Sequence, residues 1–183
     1  MRNFLTILIL VLLNTSVLAE EFKSAYSNVD VSKCKLIDKA KPGDGEWAQW
    51  LCKGYDGIDV YVLEGDLRFY ITFDKKAEGR QTLPPFNNIG KNLEWRLSEQ
   101  GKHWLPHATI LRYYTDTSSG KKGQVLVVSK YDNGESCHMA YIDALANKNA
   151  NKLAHFIADK LSENFDCAKD QAIIVGKSGE SPM

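Results

Sequence analysis

The chain has no surplus of either charge, with 23 basic against 23 acidic residues. It therefore lacks the electrostatic footprint that nucleic acid or anionic lipid demands. It contains no P-loop, no dinucleotide fingerprint, no G-x-S-x-G elbow and no H-E-x-x-H. Phosphate-cradling, nucleotide-binding, serine-hydrolase and zinc-protease chemistry thus have no local signature here. Four cysteines are present but no C-x-x-C pair, which argues against a metal knuckle. No internal repeat or low-complexity segment stands out, and the scattered carboxylates define no catalytic pair.

Long apolar runs are equally scarce, and the one present lies at the start, in MRNFLTILILVLLNTSVLAEE. Arg2 forms a short positive region, an apolar core follows from Phe4 to Leu13, and Val17 and Ala19 supply the small residues of a cleavage site. The pattern predicts a signal peptide over residues 1–19, too short for a comfortable membrane span, with residues 20–183 forming a single α+β domain. No cysteine follows the cleavage region, so a lipid anchor is not expected. The expected location is periplasmic or secreted, with no membrane span after signal cleavage. Four cysteines in an oxidising compartment predict two disulfides, and local spacing favours Cys34–Cys52 and Cys137–Cys167.

The stretch VYVLEGDLRFYITF alternates, turns at a glycine, and alternates again. With Gly65-Asp66 as the turn, Val60, Val62, Phe69 and Ile71 share a core face, while Asp59, Tyr61, Arg68, Tyr70 and Thr72 share the other. In QVLVVSKYDNGESCHMAYIDA, Asn133-Gly134 marks a second hairpin. There Lys130 opposes Cys137, Ser129 opposes His138, Val128 opposes Met139 and Leu126 opposes Tyr141. Both faces are largely apolar, which predicts central strands covered on both sides. NLEWRL and ATILRYYT read as two further strands. SKCKLID reads as a short strand, and GEWAQWLC, with Trp47 and Trp50 three apart, as a helical turn.

Near the end the period changes: Ala150, Leu153, Ala154, Ile157, Ala158 and Leu161 recur at helical spacing. Asn147 and Asn149 compete as N-cap. A helix here would lie on a sheet face, and Cys167 just beyond it would reach Cys137. The expected fold is α+β: an antiparallel sheet of about six strands, a C-terminal helix packed on one face, and two disulfides. Residues 74–91 and the stretch SEQGKHWLPH read as long connections.

Candidate chemistry is sparse. His103 and His107 are spaced i, i+4, but Gly101 and Pro106 place them in a loop without an obvious third ligand, so no metal is expected. His138 beside Cys137 suggests a nucleophile pair, yet neighbouring strand residues point to opposite faces and the cysteine is expected oxidised. Ser129 with His138 reads as an ordinary cross-strand pair. A binding surface fits better. Trp104, between His103 and His107, is a large ring in a polar connection, and Tyr61, Tyr70 and Arg68 form an aromatic strip of the kind that anchors partners.

The stretches CKGYDGIDVYVLEGDLRFYITF, NNIGKNLEWRL, ATILRYY and ESCHMAYIDA together resemble a group of small exported bacterial proteins of unknown function, mainly alphaproteobacterial. The resemblance implies a Gram-negative periplasm and transfers no site residue. The sequence thus predicts an exported, non-catalytic binding or inhibitor-like domain. It would need no cofactor, and its partner would be an envelope protein or small ligand. The alternative is a small periplasmic hydrolase whose groups converge only in the fold, with Ser129, His138, His103 and His107 as candidates.

Overall fold

The computed structural model describes residues 21–76, 80–116 and 120–176. The apolar leader read over residues 1–19 lies outside the described residues. In chain order the described elements are β1 (Phe22–Asn28), β2 (Lys35–Lys39), β3 (Trp47–Lys53), β4 (Asp59–Gly65), β5 (Arg68–Thr72), β6 (Phe86–Ile89), β7 (Asn92–Gln100), β8 (His103–Asp116), β9 (Lys122–Asp132), β10 (Glu135–Asp143), α1 (Ala150–Leu161) and β11 (Ile173–Val175). The protein is mostly β. Its strands form two sheets, not the one sheet of about six that the sequence suggested.

The larger sheet has seven strands in the order β1-β7-β8-β9-β10-β11, with β6 also paired to β8, and the smaller has four in the order β2-β3-β4-β5. All pairings are antiparallel except β10 with β11. The two apolar faces expected of β9 and β10 explain the layering. One face meets the smaller sheet across a core containing Val60, Val62, Trp95, Leu111, Tyr113 and Val127. The other meets α1 across a core of Leu126, Val128, Met139, Ile142, Ala154 and Ala158. The helix buries the stripe read from its period, and Asn149 is its N-cap residue, without a side-chain capping bond. Both expected disulfides are present, Cys34–Cys52 and Cys137–Cys167. The second fastens the segment after α1 to β10.

Several local readings change. The β4–β5 turn is Asp66-Leu67, both left-handed at φ 52° and 57°, so Gly65 pairs with Arg68 and Val62 with Ile71. This is a two-residue slip from the register expected with Gly65 in the turn, and an even slip leaves every side chain on its face. Tyr61, however, is buried instead of outward. The Trp47–Trp50 segment is strand β3, not a helical turn. Pairing with β2 and β4 along its length outweighs the local spacing of two tryptophans. The stretch carrying His103, Trp104 and His107 is the start of β8, not a loop: Gln100 pairs with His103 around a two-residue turn at Gly101-Lys102. Strand pairing satisfies the backbone there, which a connection of the same composition would leave to water.

Candidate functional site

Two β-bulges decide where the histidines go. A bulge adds one residue to a strand, so side chains beyond it change face. In β10 the register shifts between His138 and Ala140, so Ala140 opposes Val128 and Tyr141 opposes Val127. The pairing of Ser129 with His138 is as expected, but those of Met139 and Tyr141 are not. In a regular strand residues three apart face opposite ways. The bulge instead turns His138 and Tyr141 to the same side, where the His138 Nδ1 lies 2.9 Å from the Tyr141 hydroxyl and the rings meet edge to face.

His138 is only 7% exposed. Burial lowers its imidazole from 6.5 to about 4, so the ring is neutral near pH 7. Burial likewise raises the Tyr141 phenol, which keeps it in the hydroxyl form that the contact needs. The His138 backbone N–H, beyond the reach of short β11, donates instead to the Gln81 side chain at 2.6 Å. Gln81 thereby closes the sheet edge and fixes the chain beside it.

His138 borders an open cleft of about 540 Å³ between the end of β5, residues 80–81 and the β9–β10 turn. Thr72, Gln81 and Ser136 supply polar groups, and Asp74, Lys76, Arg80 and Glu135 supply charges of both signs. Phe73 forms part of its wall and of an aromatic cluster with Trp95 and Tyr131. With Nδ1 engaged by Tyr141, Nε2 is the ring nitrogen that this contact leaves unengaged. The Cys137–Cys167 bridge borders the same space through Cys167. A neutral imidazole oriented by a tyrosine can donate or accept one hydrogen bond there. Among the described residues no carboxylate bonds the ring to stabilise an imidazolium, the arrangement that general-base catalysis on a serine uses.

The second bulge is His107, between Pro106 opposite Leu97 and Ala108 opposite Arg96. It turns His107 toward α1, where Nε2 sits 3.4 Å from Asp159 Oδ1 without good hydrogen-bond geometry. Asp159 is held by Arg96 through two bonds of 2.9 and 2.6 Å. Burial alone would raise the Asp159 carboxyl, but His107 and Arg96 outweigh it and hold it below its ordinary value. The chain of contacts continues from Arg96 to Ser24, from Ser24 to Glu94, and from His155 to Glu94. Ser98, Ser162, His107 and Asp159 border a smaller cavity of about 360 Å³. Both His107 nitrogens are shut away from solvent without a hydrogen-bond partner, so neither can reach a molecule in that cavity. This network clamps the helix to the sheet.

The remaining sequence candidates are scattered. Trp104 lies partly buried at the margin of the core, its carbonyl accepting from Tyr55 and its ring covered by Lys23 at 3.8 Å. His103 is an exposed strand residue beside the turn. Arg68 is tied to Asp66 and to the Pro84 carbonyl and lies against Phe86. Tyr61 has its hydroxyl 3.5 Å from Asp59. Tyr70 alone among them neighbours the cleft, through Arg80, whose guanidinium is 5.7 Å from its ring centre. Gln81, Tyr141, Arg80 and Ser136 were not singled out from sequence. For Arg80 and Gln81 the one signal was the length of residues 74–91, read as a connection although Phe86–Ile89 within it is strand β6, and Ser136 and Tyr141 lay unmarked in the second hairpin. No family model, curated protein or solved structure matches this chain.

Proposed function

We propose that this is an exported, non-catalytic binding protein of the bacterial envelope, and that it holds a small polar ligand in the cleft beside His138. The observation that carries the reading is the His138 ring. It is buried, neutral, oriented by Tyr141 through one nitrogen, and borders a cleft of ligand size. Two disulfides fit an extracellular or periplasmic setting, and no helix of the described residues is long and apolar enough to cross a membrane. The competing hydrolase reading requires a nucleophile on a histidine. Among the described residues no serine or threonine hydroxyl is bonded to one: His138 bonds Tyr141, while His107 and His155 meet carboxylates.

The test is to incubate the purified protein with the small-molecule fraction of a periplasmic extract, remove unbound material and identify what stays by mass spectrometry. The expected result is an unaltered compound retained at one per protein and lost in His138→Asn. Conversion of a retained compound to products, abolished by the same substitution, would favour the hydrolase.

A further inference from the structure

The cleft groups suggest the ligand's chemistry, on the reading that the cleft is a binding site. Among the described residues its lining carries charges of both signs, Asp74 and Glu135 with Lys76 and Arg80. Arg80 and Glu135 are exposed and have no ion-pair partner among the described residues, although both border one space. Arg80 is held across the Tyr70 ring, which keeps the guanidinium at the mouth and free for a planar acceptor. Gln81 spends its carbonyl oxygen on the His138 N–H, so its amide hydrogens remain as donors next to Arg80. Arg80 and Gln81 thus bring a cation and free donors side by side, while Lys76 stands beside Asp74 on the segment after β5. The acceptors come from Asp74, after β5, and Glu135, at the start of β10. Groups of both signs lining one cleft, beside a ring that carries no charge, match a ligand that itself carries both.

We infer that the cleft takes a small zwitterion, an α-amino acid or short peptide, with its carboxylate on Arg80 and Gln81, its ammonium toward Asp74 and Glu135, and His138 Nε2 giving one neutral hydrogen bond between them. A molecule with only one of the two charges leaves one pole unpaired. A charge-assisted hydrogen bond contributes enough that each lost pole lowers affinity roughly tenfold or more.

Calorimetric titration with L-alanine, L-alanyl-L-alanine, propionate and ethylamine tests this directly. The expected pattern is binding of alanine or its dipeptide at least tenfold tighter than either single-charge analogue. Arg80→Gln should weaken the zwitterion and propionate but spare ethylamine, and Glu135→Gln should do the reverse. Both substitutions lie at exposed positions, so folding is not at stake. Propionate binding as tightly as alanine would overturn the zwitterion in favour of a plain anion site. If none of the four binds at millimolar concentration while a periplasmic compound is still retained, the zwitterion fails and the binding reading stands. If nothing of either kind is retained, both fail.

Discussion

His138 makes stability depend on pH between the values at which its folded and unfolded rings take a proton. The folded ring takes a proton only near pH 4, whereas an unfolded histidine takes one near 6.5. Between these values the unfolded chain binds one more proton than the folded protein, so stability rises with pH across the window and is lost as pH falls through it. At ~1.4 kcal/mol per pH unit between the two values, the penalty reaches about 3 kcal/mol at pH 4. The assay is urea unfolding at half-unit steps from pH 7 to pH 4, comparing wild type with His138→Asn. Asparagine keeps a polar group near the Tyr141 hydroxyl but does not titrate. The depressed carboxylate Asp159 also loses stabilisation in acid, in wild type and variant alike, so the difference between the two isolates the imidazole. The variant is expected to be less stable at pH 7 and to gain about 3 kcal/mol on wild type by pH 4. A difference constant across this range would refute the claim that the ring is buried and neutral.

Leu67 sits at φ 57° in the β4–β5 turn and is 62% exposed, so Leu67→Gly removes backbone strain without removing packing. It should raise stability by about 1 kcal/mol in denaturant unfolding. A Cβ on Gly54 would lie 2.5 Å from Trp95 Cζ2 and 2.9 Å from the Ile58 carbonyl oxygen. Gly54→Ala should therefore cost roughly 1–3 kcal/mol, measured the same way. Arg96→Leu strands the Asp159 carboxylate beneath α1 and should cost about 3 kcal/mol. Adding Asp159→Leu should recover most of that loss, because removing both partners is far cheaper than removing one. Hydrogen exchange should show the damage of the single variant concentrated in α1.

The parts of the fold legible in the sequence were those written in period and turn chemistry. The stripe from Ala150 to Leu161, the Asn133-Gly134 turn and the disulfide partners all follow from local spacing. The first hairpin kept its faces although its turn moved, because the slip was even. What escaped was long-range. A bulge is one inserted residue with no compositional mark, and it is decided by which residues of the partner strand are satisfied. Met139 and His107 look like any other strand positions, yet their bulges set the surroundings of both histidines. Trp104 illustrates the same limit. Gly101 and Pro106 suggested a loop, but pairing with β7 made the segment a strand, and Tyr55 and Lys23 cover the ring from distant parts of the chain. The cleft could not be read at all. Its lining comes from the end of β5, residues 80–81, the β9–β10 turn and Cys167, brought together by the meeting of two sheets that the sequence presented as one.

The most direct test of the account is the nitrogen NMR spectrum of the His138 imidazole at pH 7, with and without the small-molecule fraction of a periplasmic extract. The expected spectrum is that of a neutral ring with a single tautomer fixed by the Tyr141 contact, and an Nε2 resonance that moves on addition while those of His103 and His155 stay in place. A ring protonated on both nitrogens at pH 7, or an Nε2 resonance indifferent to everything added, would contradict it.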